Sequence, residues 1–140
     1  MNLKLIPMDT QTVLKNFQYM TEGIDSVLQY VPDRDWQTIT QEILSGRVLT
    51  WYAFDEGKYI GFATTQIERL SEKLSVWWIV HTFIKKGANR DAFFEGLKIF
   101  EEKAKQAGCT WVKFMTVRDK AFQRKLPDYM PGRTEFMKEV

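Results

Sequence analysis

Between Leu74 and Thr116 the chain reads apolar strand, short basic loop with a glycine, amphipathic helix, glycine stop, second apolar strand. No other stretch constrains the fold as much. The first strand is Leu74–Ile84 and the loop Lys85–Asn89. The helix starts near Arg90 and ends at Gly108, and Cys109–Val117 follows as a strand. Two strands joined by a crossover helix are parallel and connected right-handedly. A helix that opens from a basic, glycine-bearing loop offers unpaired N–H groups and the positive end of its dipole. The pattern therefore predicts an anionic cofactor, a phosphate or pyrophosphate, near Lys86–Asp91.

The rest of the chain extends this unit. Leu3–Pro7 is a short strand. Asp9 or Thr10 caps a helix whose apolar positions Val13, Leu14, Phe17, Met20 and Ile24 follow helical spacing. Gly23 is expected to fray or bend it. Pro32-Asp33 breaks the chain, and Asp33 or Asp35 opens a second helix with Trp36, Ile39, Ile43 and Leu44 on one face, stopped by Gly46. Val48–Phe54 and Tyr59–Glu68 form a hairpin around Asp55-Glu56-Gly57-Lys58. Arg69–Lys73 is a polar connection. Arg118–Leu126 reads as a short basic helix ended by Pro127, and Arg133–Val140 as a last strand that could pair across a homodimer.

The order is β-α-α-β-β-β-α-β-α-β. The expected fold is one α/β domain over residues 1–140, a mixed, mostly antiparallel sheet with one parallel β-α-β unit and helices on both faces. Composition narrows the function. A net charge of +2 does not argue for nucleic acid as a partner. One Cys and one His exclude a disulfide framework and leave no set of metal ligands. No run reaches the ~20 apolar residues of a membrane span. Met1–Pro7 lacks the basic start and apolar core of a signal peptide, so a cytoplasmic setting is expected.

This order, at this length, resembles the GCN5-related N-acetyltransferase (GNAT) fold over nearly the whole chain. The hairpin Leu49–Ala63, with Glu56-Gly57-Lys58 and then Ile60-Gly61-Phe62-Ala63, is similar to the second and third strands of that family. Ala104-Lys105-Gln106-Ala107-Gly108-Cys109-Thr110-Trp111-Val112 is similar to the end of its cofactor helix and the next strand. The chain also resembles compact, phage-encoded members. The resemblance implies transfer of an acetyl group from acetyl-CoA to an amine, on a small molecule or a protein. It places the cofactor along Phe83, Ile84, Lys85, Lys86, Gly87, Ala88, Asn89, Arg90 and Asp91. The family's loop has the form Arg/Gln-x-x-Gly-x-Gly/Ala; here Lys86, Asn89 and Asp91 stand at its three fixed positions. The register that often holds a tyrosine acid in the family falls on Lys125, and Tyr129 is the nearest phenol. The acceptor would lie along Met20–Trp36 and Tyr129–Phe136.

Three residues are candidates for catalysis: His81, Glu68 and Tyr129. A neutral imidazole is the usual general base near pH 7, and the resemblance puts the fourth strand beside the acetyl group; a hydrogen-bonded core histidine is the competing reading of His81. Glu68 would act as base through water, or is a strand-end surface charge. Tyr129 would protonate the leaving thiolate. Strand-edge N–H groups near His81–Ile84 would stabilise the oxyanion. Arg118, Lys120, Arg124 and Lys125 are a solvated helix face or a site for an anion. Cys109 reads as a small core residue, and Trp77 and Trp78 point to opposite sheet faces. The alternative function is a GNAT-shaped protein that no longer catalyses and binds a macromolecule, which the altered loop and the lysine at position 125 favour.

Overall fold

The computed structural model describes residues 1–28, 35–115, 125–126, 128–131 and 135–140. Its elements are β1 (Leu3–Met8), α1 (Thr10–Lys15), α2 (Gln18–Leu28), α3 (Trp36–Leu44), β2 (Leu49–Asp55), β3 (Lys58–Ser71), β4 (Leu74–Ile84), α4 (Ala92–Gln106), β5 (Trp111–Met115), β6 (Met130–Pro131) and β7 (Glu135–Glu139). The sheet has seven strands in the order β1-β2-β3-β4-β5-β7-β6. Only the β4/β5 pair is parallel. The expected mixed α/β sheet is therefore present, with β4 in its middle.

Helices cover both faces of the sheet. On one side α4 lays Leu97, Phe100 and Ala104 on Trp51, Trp77, Val112, Phe114 and Phe136. On the other, α1–α3 bury Val13, Met20, Ile24, Ile39 and Ile43 against Tyr52, Tyr59, Phe62 and Phe83. Two strong turns, one after α4 and one between β2 and β3, punctuate the chain. At the α4 end, Gly108 takes φ 78°, its N–H donates to Lys105 O, and Cys109 N–H donates to Ala104 O. This Schellman closure turns Cys109 into the core, where it is 4% exposed. At the other hairpin, Glu56 and Gly57 both take positive φ, as a two-residue turn of this hand requires.

Several expected boundaries shift. The first helix is two. Asn16 caps α1, and a tight turn from Asn16 O to Tyr19 N–H starts α2. The Tyr59 hydroxyl donates to Tyr19 O at 2.8 Å, and that of Tyr52 to Asn16 O at 3.5 Å. Buried tyrosines thus hold the break, and burial pushes the Tyr52 phenol up to about 12. Gly23 does not fray the helix. It lies inside α2 because a Cβ there would run into the rings of Phe62 and Phe83. Asp35 caps α3 through Thr38 N–H at 2.8 Å. Strand β3 continues to Ser71, since Arg69 and Ser71 pair with β4. Helix α4 starts at Ala92 rather than Arg90, and the short β6 was not anticipated. Most of the expected helix Arg118–Leu126, and Pro127, lie outside the described residues. Among the described residues no helix is long and apolar enough to cross a membrane, and no group of His, Cys, Asp or Glu is placed to hold a metal ion.

Gly23→Ala should destabilise the protein by about 1–3 kcal/mol through overpacking at the α2/β3 contact, read as a lower urea midpoint. The Asp35 carboxyl is held below its ordinary 3.8 by the Thr38 amide. A depressed folded value means that this carboxylate contributes stability above pH 3.8, lost as pH falls through the lower folded value. Asp35→Ala should therefore lower the melting temperature at pH 7, with the gap to the native chain closing below that pH.

Candidate active site

The site is built on an irregularity in β4. Its register with β3 runs Thr64↔His81 and then Thr65↔Ile79, so Val80 has no partner and β4 bulges there. The bulge changes which residues face each side. Trp77 and Ile79 pack under α4, whereas Phe83 joins the α1–α3 core. It also turns His81, 7% exposed, towards α3. The His81 N–H donates to Thr64 Oγ1 at 3.1 Å. Thr64 is fully buried, so the bulge is fixed by a bond shielded from water.

The bulge follows directly on the last described pair between β4 and β5. β4 pairs with β5 from Val76↔Trp111 to Ile79↔Phe114 and no further. From Val80 to Ile84 the edge of β4 facing β5 has no ladder partner among the described residues, and Thr82 is exposed there. A strand edge that presents main-chain N–H and C=O groups can take an extended, amide-bearing arm.

This end of β4 leads to the loop before α4. Lys85 N–H donates to Ile60 O at 2.7 Å, and Gly87 takes φ 90°. Asn89 is the organising residue. Its Oδ1 accepts from Asp91 N–H at 2.9 Å and its carbonyl from Ala92 N–H at 3.0 Å. Ala88 N–H is held by Lys85 O at 3.1 Å. The amides of Lys86, Gly87, Asn89 and Arg90 have no acceptor among the described residues. The Asp91 side chain makes no capping bond and is exposed. Lys86 and Arg90 are exposed beside these amides, whereas Lys85 lies over the Tyr59 ring, 5.5 Å from its centroid. Four open N–H groups and two cations suit a multiply charged anion.

The three catalytic candidates do not converge. His81 Nε2 lies 3.6 Å from Glu42 Oε2 of α3, with side chains 5% and 13% exposed. Glu68 lies nearer the other end of the sheet, 3.8 Å from Lys113 Nζ, which sits 4.4 Å from the centroid of the Trp78 ring. Tyr129 belongs to the α4 side of the sheet, packed on Phe114, with its hydroxyl buried and unpartnered. Burial, with Glu101 adding, pushes its phenol far above the ordinary value, so it holds its proton firmly. Burial likewise raises the Cys109 thiol, which speaks against a nucleophile.

The sequence reading missed Glu42, Thr64 and Lys113. Glu42 carried a legible signal: it lies three residues after Ile39 and beside Ile43, a carboxylate on the apolar stripe of α3. Thr64→Val should orphan the buried His81 N–H and cost about 1–3 kcal/mol in urea unfolding.

No family model matches the sequence, and no curated protein is similar to it in sequence. Solved structures are similar. Over 98% of this chain and 96% of the other, the structure of Tetrahymena GCN5 superposes with a TM-score of 0.70 at 8% identity. The NatC complex bound to Gag peptide and CoA matches over 100% and 99%, with TM-score 0.67 and 12% identity. The PaiA N-acetyltransferase from Thermoplasma acidophilum, solved with coenzyme A, matches over 100% of both chains with TM-score 0.63 and 13% identity. The chain thus has the GNAT fold.

Proposed function

We propose that the protein transfers an acetyl group from acetyl-CoA to an amine acceptor. The observation that carries this reading is the continuity of two features. One is the stretch of β4 beyond its last pair with the described residues of β5; the other is a loop whose four amides have no acceptor among the described residues, flanked by Lys86 and Arg90. Coenzyme A has the matching form, an extended amide-bearing arm behind a pyrophosphate. That two of the similar structures hold CoA in this fold supports the same assignment.

In this reading the loop fixes the pyrophosphate and the β4 edge aligns the arm, so that the thioester meets the acceptor at the bulge. An ammonium is no nucleophile, and free amines have pKa values near ~10.4. The His81 imidazole takes a proton from the acceptor as the amine nitrogen attacks the thioester carbonyl carbon. The C–N bond forms, the C–S bond breaks, and the thiolate leaves to take a proton from water. Glu42 does not touch the acceptor; it orients the imidazole and balances its charge once protonated. Backbone N–H groups of β4 beyond His81, whose own N–H is bonded to Thr64, face the developing oxyanion. Glu68 with Lys113 and Trp78 lies on the same strands, towards the other end of the pairing, on the acceptor side of this scheme. Tyr129 takes no part in it.

Calorimetric titration with acetyl-CoA tests the reading. The native chain should bind at micromolar concentrations, and Lys86→Ala with Arg90→Ala should weaken binding at least tenfold. No binding by the native chain at high micromolar acetyl-CoA would overturn it. Once an acceptor is found, His81→Asn should lower kcat by about 10²–10⁴. Glu42→Gln should lower kcat while leaving KM for acetyl-CoA unchanged, a split that a merely structural role would not produce.

A further inference from the structure

We infer that the sheet face next to His81 holds a second group of the acceptor, a carboxylate, on Lys113 and Trp78. This inference rests on the acetyl-transfer reading above and narrows its acceptor class. The bulge brings the parts together. Trp77 and Ile79 pack under α4, so Trp78 points to the other side of the sheet. In a regular strand His81 would then face away from Trp78. The extra residue at Val80 brings both to the α1–α3 side. Three strand positions separate them, about 10 Å. Lys113 of β5 pairs with Trp78 across the parallel ladder and so shares its face.

Two donors meet there without acceptors among the described residues. The Trp78 Nε1–H is buried and has no hydrogen-bond partner, although an indole N–H out of water ordinarily finds one. The Lys113 ammonium lies 4.4 Å from the centroid of the same ring and donates no hydrogen bond. Its ion-pair partner, Glu68 Oε1, is 3.8 Å away, beyond hydrogen-bond reach. The Lys113 and Glu68 side chains are 16% and 28% exposed, so a ligand can reach them. Groups that only donate call for a group that accepts. An ammonium brings donors alone, and Lys113 already covers the Trp78 ring. A carboxylate accepts from both donors. The Glu68 carboxylate stands close by, so a singly charged anion suits the place better than a phosphate. The acceptor is then a molecule with its amine at His81 and its carboxylate at the far end of that span, the form of an ω-amino acid.

Titration of the CoA-bound chain with ω-aminohexanoate, hexylamine and hexamethylenediamine tests this, read by NMR from the indole N–H signals of its five tryptophans. ω-Aminohexanoate should bind about tenfold more tightly than hexylamine and shift the Trp78 indole signal downfield. Trp78→Phe assigns that signal. Lys113→Met should bring the two ligands to equal affinity, and Glu68→Gln should tighten ω-aminohexanoate by removing a nearby like charge. Lys113→Gln replaces the methionine variant if that one does not fold by circular dichroism. Equal affinity of the native chain for ω-aminohexanoate and hexylamine would overturn the inference and leave the acetyl-transfer reading intact. Tighter binding of hexamethylenediamine would overturn it in favour of a cation seat on Trp78 and Glu68. Failure of all three to bind the CoA complex would overturn it as well, and failure of CoA itself to bind would overturn both.

Discussion

Everything at the site depends on the bond from His81 N–H to Thr64 Oγ1. A bulge in a central strand strands an N–H group, and in a buried sheet such a group needs an acceptor. Thr64, with no exposed surface, supplies it. With the bulge fixed, Ile79 stays under α4, His81 turns to Glu42, and β4 runs on beyond its last pair with β5. One side-chain hydroxyl thus holds the backbone from which the only histidine of the chain is aimed.

The fold was legible because its strongest signals are local. The apolar run Leu74–Ile84, the stop at Gly108 and the Glu56-Gly57 turn each imply one geometry, and all three are found. The misjudged elements depended on contacts between distant residues. The split between α1 and α2 is held by hydroxyls of Tyr52 and Tyr59, 36 and 40 residues away in sequence. Gly23 reads as a helix breaker until Phe62 and Phe83 come to rest where its side chain would be.

The site was legible in part, for the same reason. A basic loop before a helix can be read from sequence, and Lys86, Gly87, Asn89 and Arg90 do present open N–H groups. Asn89 reads as a residue able to cap the helix or take left-handed φ; in the structure its side chain serves Asp91 N–H while its carbonyl closes the turn that leads into α4. Nor could the faces: a period-two reading of β4 carries through Val80 without a break, whereas the bulge moves His81 and Phe83 to the α1–α3 side. Glu68, His81 and Tyr129, each a candidate for catalysis by its own residue type, stand in three separate places.

The central claim is that the loop before α4 and the adjoining end of β4 form one seat for an anionic, extended donor. Amide-resolved NMR during titration with free CoA tests it most directly. The account predicts that the signals of Lys86, Gly87, Asn89 and Arg90 shift together with those of Val80–Ile84 and saturate on one curve. Ala88, Asp91 and Ala92, whose N–H groups are already bonded, should move less. Shifts confined to other parts of the chain, with these four amides unmoved at saturating CoA, would contradict it.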